Sequence, residues 1–324
     1  MKEQNTLEKV IGAPAQALDQ TIETTQKVKE EIVDKGPVKK AREYWELLGP
    51  GLTTGASDDD PSGIATYSQA GAKYGFSFLW TAVLTFPMMA LVQEMCARIG
   101  MVTGRGLAGN IRVFFPRYVL YFCTALLFGA NVLNIGANLG AMAKGVQLIL
   151  PTLPFAYLVV FFALSSILSQ IYVSYQNYAK YLKWLALVLL SYVFSTLLAD
   201  GINWREVSAS LLDIKISFDK DQILMLCAIL GTTISPYLFF WQTSQEVEEA
   251  IEQGGSSIQK RRQSIDAQAI KNMRIDVWSG MFLSNLVMFF IIVACAATLN
   301  KAGIPLELFV RWQVIGRIFY LQLE

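Results

Sequence analysis

Seven apolar runs, near 47–72, 76–98, 118–143, 154–173, 182–200, 223–244 and 276–299, divide this chain of 324 residues. Most approach or exceed the roughly 20 residues with which a helix crosses bilayer hydrocarbon. Lipid offers no partner to backbone N–H and C=O groups, so such runs close their hydrogen bonds internally as helices. The predicted class is an all-α integral membrane protein. A composition of 53% hydrophobic and only 16% charged residues agrees, because soluble domains rarely reach that balance. The net charge of +1 gives no footprint for nucleic acid. Cys96, Cys123, Cys227 and Cys295 all lie within apolar runs and lack metal-type spacing, so they read as small buried or lipid-facing residues. Histidine is absent, which excludes a His-ligated metal and any imidazole proton relay.

Residues 1–45 are polar and charged, without a signal peptide, and read as a cytoplasmic extension. Lys35, Lys39, Lys40 and Arg42 stand close before the first run. With that end inside, three later loops also fall inside: Arg98 to Arg117, Lys180 to Lys183, and Gln245 to Arg274. All three are basic, whereas the opposite loops are sparse or mixed, so the positive-inside rule gives a cytoplasmic N-terminus. In the third loop an acidic turn (Glu246 to Glu252), a Gly-Gly-Ser-Ser link and the basic Lys260-Arg261-Arg262 would lie along the membrane surface. That reads as a solvated loop, with anionic lipid as the rival contact.

Two of the runs are interrupted. The first contains Asp58-Asp59-Asp60-Pro61-Ser62-Gly63. A carboxylate at a bilayer centre costs about 2.5–3.5 kcal/mol, and Pro61 and Gly63 both oppose a continuous helix. Pro61 also turns Asp60 away from helical torsions. The plain alternative is an interfacial loop that caps a helix, but apolar sequence on both sides disfavours it. The sixth run carries Thr232-Thr233-Ile234-Ser235-Pro236-Tyr237. Alone this is an ordinary Pro-kinked membrane helix. Breaks in the first and sixth runs together are what two inverted five-helix repeats produce, with a cation or substrate site at the midplane.

The run Gly49-Pro50-Gly51-Leu52, then Asp60-Pro61-Ser62-Gly63-Ile64-Ala65-Thr66 and Gln69-Ala70-Gly71, resembles the first helix of the Nramp family of divalent metal transporters. Gly231 to Tyr237 resembles that family's sixth-helix signature, mainly by position. The likeness spans roughly 45–300 and implies a LeuT-like inverted-repeat fold with discontinuous helices 1 and 6. It also implies a metal site. The family's aspartate falls on Asp60, its asparagine on Gly63, its carbonyl-donating alanine on Thr232 and its methionine on Ser235. What remains is an oxygen site of Asp60, with Asp59, the hydroxyls of Thr232 and Ser235, and freed carbonyls. Loss of the thioether removes the soft ligand, so the site suits Mg²⁺, Ca²⁺ or Mn²⁺. The resemblance is closer to the magnesium-transporting, methionine-lacking members.

The family's sixth-helix histidine falls on Tyr237, and its acidic third-helix positions fall on Asn131, Asn138 and Ala141. Transport of cations of the Mg²⁺/Mn²⁺/Fe²⁺ class is therefore expected with weak or no proton coupling. The metal is cargo, no cofactor is expected, and the partners are the cation and the lipid of a bacterial inner or plasma membrane. The domains read as 1–45 extension, 46–300 transporter and 301–324 aberrant or truncated, leaving the second repeat incomplete. Permissible codons for 308–324 also encode an apolar string in a neighbouring frame. Two rivals stand beside this reading. An amino-acid or organic-cation carrier of the same broad fold would present glycine amides rather than carboxylates at the first break. An inactive remnant or metal-binding membrane protein would bind without flux. An enzyme finds no support: Gly100 to Gly106 is glycine-rich but follows a membrane helix and lacks the strand–loop–helix context of a phosphate site.

Overall fold

The computed structural model describes residues 36–173, 181–182, 184–199, 201–214, 218–263 and 265–303, and these are helical with no strand among them. The expectations for residues 1–35 and 304–324, and for the basic pair Lys180 and Lys183, lie outside the described residues. The chain divides into two compact units, Met1–Leu48 and Gly49–Glu324. In the first, α1 (Gly36–Leu47) is a polar helix. Its exposed Arg42–Glu46 pair, 2.8 Å apart at i,i+4, is worth a few tenths of a kcal/mol.

The second unit opens with a helix in two halves, α2 (Pro50–Asp58) and α3 (Pro61–Tyr74). A 3₁₀ turn then leads into α4 (Leu79–Thr103). Next come the short α5 (Leu107–Phe114), the long α6 (Arg117–Ile149), α7 (Phe155–Tyr172) and α8 (Trp184–Leu198). After α9 (Trp204–Ser210) a second divided helix follows, α10 (Lys220–Thr233) and α11 (Pro236–Glu252). The described part ends with α12 (Ile258–Gln263) and α13 (Ala267–Cys295), the latter closing in a π-helical turn.

Every apolar run thus contains helix, with one difference of count. Among the described residues, five helical stretches are long and apolar enough to span a bilayer: 61–103, 117–149, 155–172, 220–252 and 267–300. The first run is not a span by itself because its break leaves two short halves, and the described part of α8 is shorter than a full span. Three boundaries of two loops also move. Arg98 lies inside α4, Arg274 inside α13, and the acidic Glu246–Glu252 turn inside α11. The helices outrun their apolar stretch because charge is satisfied there: Glu94 accepts from Arg98, Arg274 and Trp278. The basic turn is likewise engaged, since Arg261 donates to the carbonyls of Gly104 and Gly255, both at 3.1 Å.

Helix α13 is the centre of the bundle and packs against α2, α3, α4 and α8. Its crossing with α2 brings backbone onto backbone. A Cβ on Gly55 would strike the carbonyl of Gly280, and one on Gly280 would strike that of Gly51. Small residues at membrane helix crossings permit this approach and the close dispersion contact it brings. The glycine-rich 100–106 stretch has a structural use as well. Gly104 ends α4 in the left-handed region at φ 63°, and Gly100 faces the backbone of Thr243. By contrast α6 and α7 expose most of their apolar side chains, as suits contact with lipid.

Candidate cation site at the two helix breaks

Pro61 has no N–H and fixes its own φ, so it starts a helix well and cannot continue one. Asp60 before it is extended (φ −74°, ψ 171°) and becomes the N-cap of α3. Its Oδ1 accepts from the amides of Ser62 and Gly63, both at 2.9 Å, and from the Ser62 hydroxyl at 2.6 Å. Those are the orphan donors of a helix N-terminus, and the positive end of the helix dipole favours the negative charge. Gly63 therefore contributes its amide to holding Asp60, and it carries no side-chain ligand.

Oδ2 of Asp60 faces other elements. Asn134 Nδ2 of α6 donates to it at 2.8 Å, Asn138 Nδ2 at 3.4 Å, and the Tyr237 hydroxyl of α11 at 3.5 Å. The first break thus meets the start of the second half of the other broken helix. The sequence reading singled out Asn131, Asn138 and Ala141 on this helix as the family's acidic positions and did not name Asn134. Residues 131, 134 and 138 follow one helical face, so the spacing held the signal and only the rotation of α6 selects among them.

At the second break Ile234 and Ser235 leave helical torsions, and α11 restarts at Pro236. The Thr232 hydroxyl donates back to the carbonyls of Ala228 and Ile229, and the Ser235 hydroxyl to those of Gly231 and Thr232. Each hydroxyl spends its proton on its own helix and keeps oxygen lone pairs to offer. Behind them Thr233 meets the Tyr67 hydroxyl at 3.2 Å, joining the two broken helices.

The acidic triplet does not converge. Among the described residues no three acidic, cysteine or histidine side chains come together as a metal cluster. Asp60 faces α6 and α11, whereas Asp58 accepts from Ser284 of α13 at 3.0 Å and is 1% exposed. Asp59 is 4% exposed, and neither of its oxygens has a donor among the described residues. Asp58 and Asp60 thus face different elements although only two residues apart, so adjacency in sequence does not make one ligand set.

Another acidic residue, unread in the sequence, fixes α2. Asp276 of α13 accepts from the amides of Gly49, Gly51 and Leu52 at 2.8, 2.7 and 3.1 Å. It caps from more than 200 residues away a helix that has no side-chain cap of its own.

A family model described as natural resistance-associated macrophage protein-like, Nramp, matches residues 51–310. The chain belongs to the Nramp family. This Nramp chain is 25% identical over 271 residues to the divalent metal cation transporter MntH of Erwinia tasmaniensis, covering 80% of itself and 60% of that protein. It is 29% identical over 221 residues to MntH of Yersinia enterocolitica, covering 66% and 52%. Over 76 residues, 24% of its length, identity with MntH of Klebsiella pneumoniae is 40%. Among solved structures it resembles the Eremococcus coleocola manganese transporter bound to an aromatic bis-isothiourea substituted compound. There the TM-score is 0.59 at 19% identity, covering 79% of this chain and 52% of that one. The likeness establishes the fold: a LeuT-like membrane helix bundle with discontinuous first and sixth helices. The chain spans only 52–60% of the length of the long-range matches.

Proposed function

We propose that this Nramp chain is a transporter rather than an enzyme. Its cargo is a hard divalent cation of the Mg²⁺/Mn²⁺/Fe²⁺ class, moved across a bilayer through an oxygen-lined site between the breaks. The carrying observation is Asp60, a carboxylate at a helix break inside the membrane-spanning part, facing both other helices. Asp60 anchors the cation. The Thr232 and Ser235 hydroxyls and carbonyls freed at the breaks add neutral oxygens, Gly63 holds Asp60 in place, and the buried Asp59 is the adjoining carboxyl oxygen ligand. Such a set suits Mg²⁺ or Mn²⁺, and Mg²⁺ keeps several of its waters. The metal is substrate, not cofactor.

Asparagine amides rather than carboxylates meet Asp60 from α6, which favours weak or absent proton coupling. The basic residues at 98–117 and 260–274 favour a cytoplasmic N-terminus in an inner or plasma membrane.

The test is Mg²⁺ and Mn²⁺ uptake into liposomes holding the wild-type chain or Asp60→Asn, with binding measured on both. Loss of binding and flux in Asp60→Asn supports the reading. Unchanged affinity would move the site elsewhere.

A further inference from the structure

Asn134 and Asn138 sit one turn apart on a helix with little other use for polar side chains. Ala143 is the one buried residue of α6, and most of its neighbours are exposed and apolar. Both amide nitrogens are nevertheless aimed at one oxygen of Asp60, at 2.8 and 3.4 Å. A side-chain amide has a second end. Oδ1 of Asn138 is buried and receives no donor among the described residues. Leaving a buried acceptor without a donor costs about 1–3 kcal/mol. Here the acceptor stands beside a carboxylate, where a cation would satisfy both.

We infer that Asn134 and Asn138 form a third wall of the cation site and determine its specificity, adding amide oxygens to the ligands offered by the two breaks. The inference rests on the reading of Asp60 as the anchoring ligand. Without a cation, the two NH₂ groups face Asp60 and occupy the positive side of its field. When a cation docks on Asp60, rotation about the last side-chain torsion turns each amide over. Oδ1 then faces the cation or a water the cation retains. A neutral amide oxygen is a hard donor of the kind that Mg²⁺ and Ca²⁺ accept, and it has none of the softness that favours later transition metals. The contribution of α6 therefore works in the same direction as a serine at position 235.

The two ends of the amide are separable by mutation. Leucine removes both, whereas aspartate keeps the oxygen and removes the donor. The experiment is Mg²⁺ and Mn²⁺ binding to the purified full chain by titration calorimetry, with thermal unfolding read alongside. The Asn138→Leu variant should bind Mg²⁺ about tenfold or more weakly, and Asn138→Asp should bind at least as tightly as the wild type. The pair Asn134→Leu and Asn134→Asp repeats the comparison if the Asn138 variants do not yield folded protein.

Leucine variants within twofold of wild type, with Asp60→Asn still abolishing binding, would overturn the third wall and leave the anchoring ligand standing. So would aspartate variants as weak as the leucine ones, because that is what a mere hydrogen-bond prop for Asp60 predicts. Unchanged binding by Asp60→Asn would instead remove the anchoring ligand, and the third wall with it.

Discussion

Asp276 and Ser235 show how far single side chains decide the behaviour of this site. The amides of Gly49, Gly51 and Leu52 at the start of α2 depend on one carboxylate of α13. Removing a helix cap costs about 0.5–2 kcal/mol, and a charged acceptor shared by three donors belongs at the upper end of that range. Asp276→Ala should therefore lower the Tm of the detergent-solubilised chain and destabilise it by about 2 kcal/mol; an unchanged Tm would show that the amides find other partners. Ser235 acts on selectivity rather than stability. Its hydroxyl is a hard donor held against the α10 carbonyls, and Ser235→Met replaces it with a soft thioether. The ratio of Mn²⁺ to Mg²⁺ uptake should rise, and a constant ratio would mean that residue 235 does not face the ion.

At the scale of elements, the breaks were legible and their surroundings were not. Proline, glycine and charge inside an apolar run violate local rules strongly enough to locate Asp60 and Ser235 from sequence alone. The seven runs were legible for the same reason, since lipid leaves a chain few choices. What escaped was long-range: the cap from Asp276, the Ser284 hydroxyl on Asp58, and the rotation of α6 that presents Asn134. None of these has a local signature, because each depends on how two distant helices cross. The divergence of Asp58 from Asp60 escaped too, since direction at a helix end follows torsions that sequence does not print. Glycines show the same contrast in testable form. Gly280→Ala forces Cβ into the Gly51 carbonyl and should cost about 3 kcal/mol, read as lost monodisperse protein or a sharply lower Tm. Gly129 of α6 has open space around the same position, so Gly129→Ala should gain about 0.5–1 kcal/mol. Equal effects at the two sites would contradict the α2–α13 crossing.

For the whole molecule, the decisive property is what moves with the metal. The hydrogen-bond partners of Asp60 are amides and hydroxyls, with no carboxyl from α6 or α11 among them, and the chain has no histidine to relay a proton. Metal uptake by vesicles containing the chain should dissipate a metal gradient without moving protons, as followed by a pH-sensitive dye trapped inside. Metal-dependent acidification of the lumen would refute that. The described bundle holds both breaks within a chain that covers 52% of the manganese transporter it resembles. Its parts are not equally free. Helix α2 is fastened to α13 at both ends, by Asp276 at its start and by Asp58 with Ser284 at its finish, with glycines touching between. A strut bolted at both ends does not swing. On the proposed function, a stroke that opens a path to Asp60 should carry α2 and α13 as one plate and bend the chain at Asp59 and Asp60, between the two helix halves.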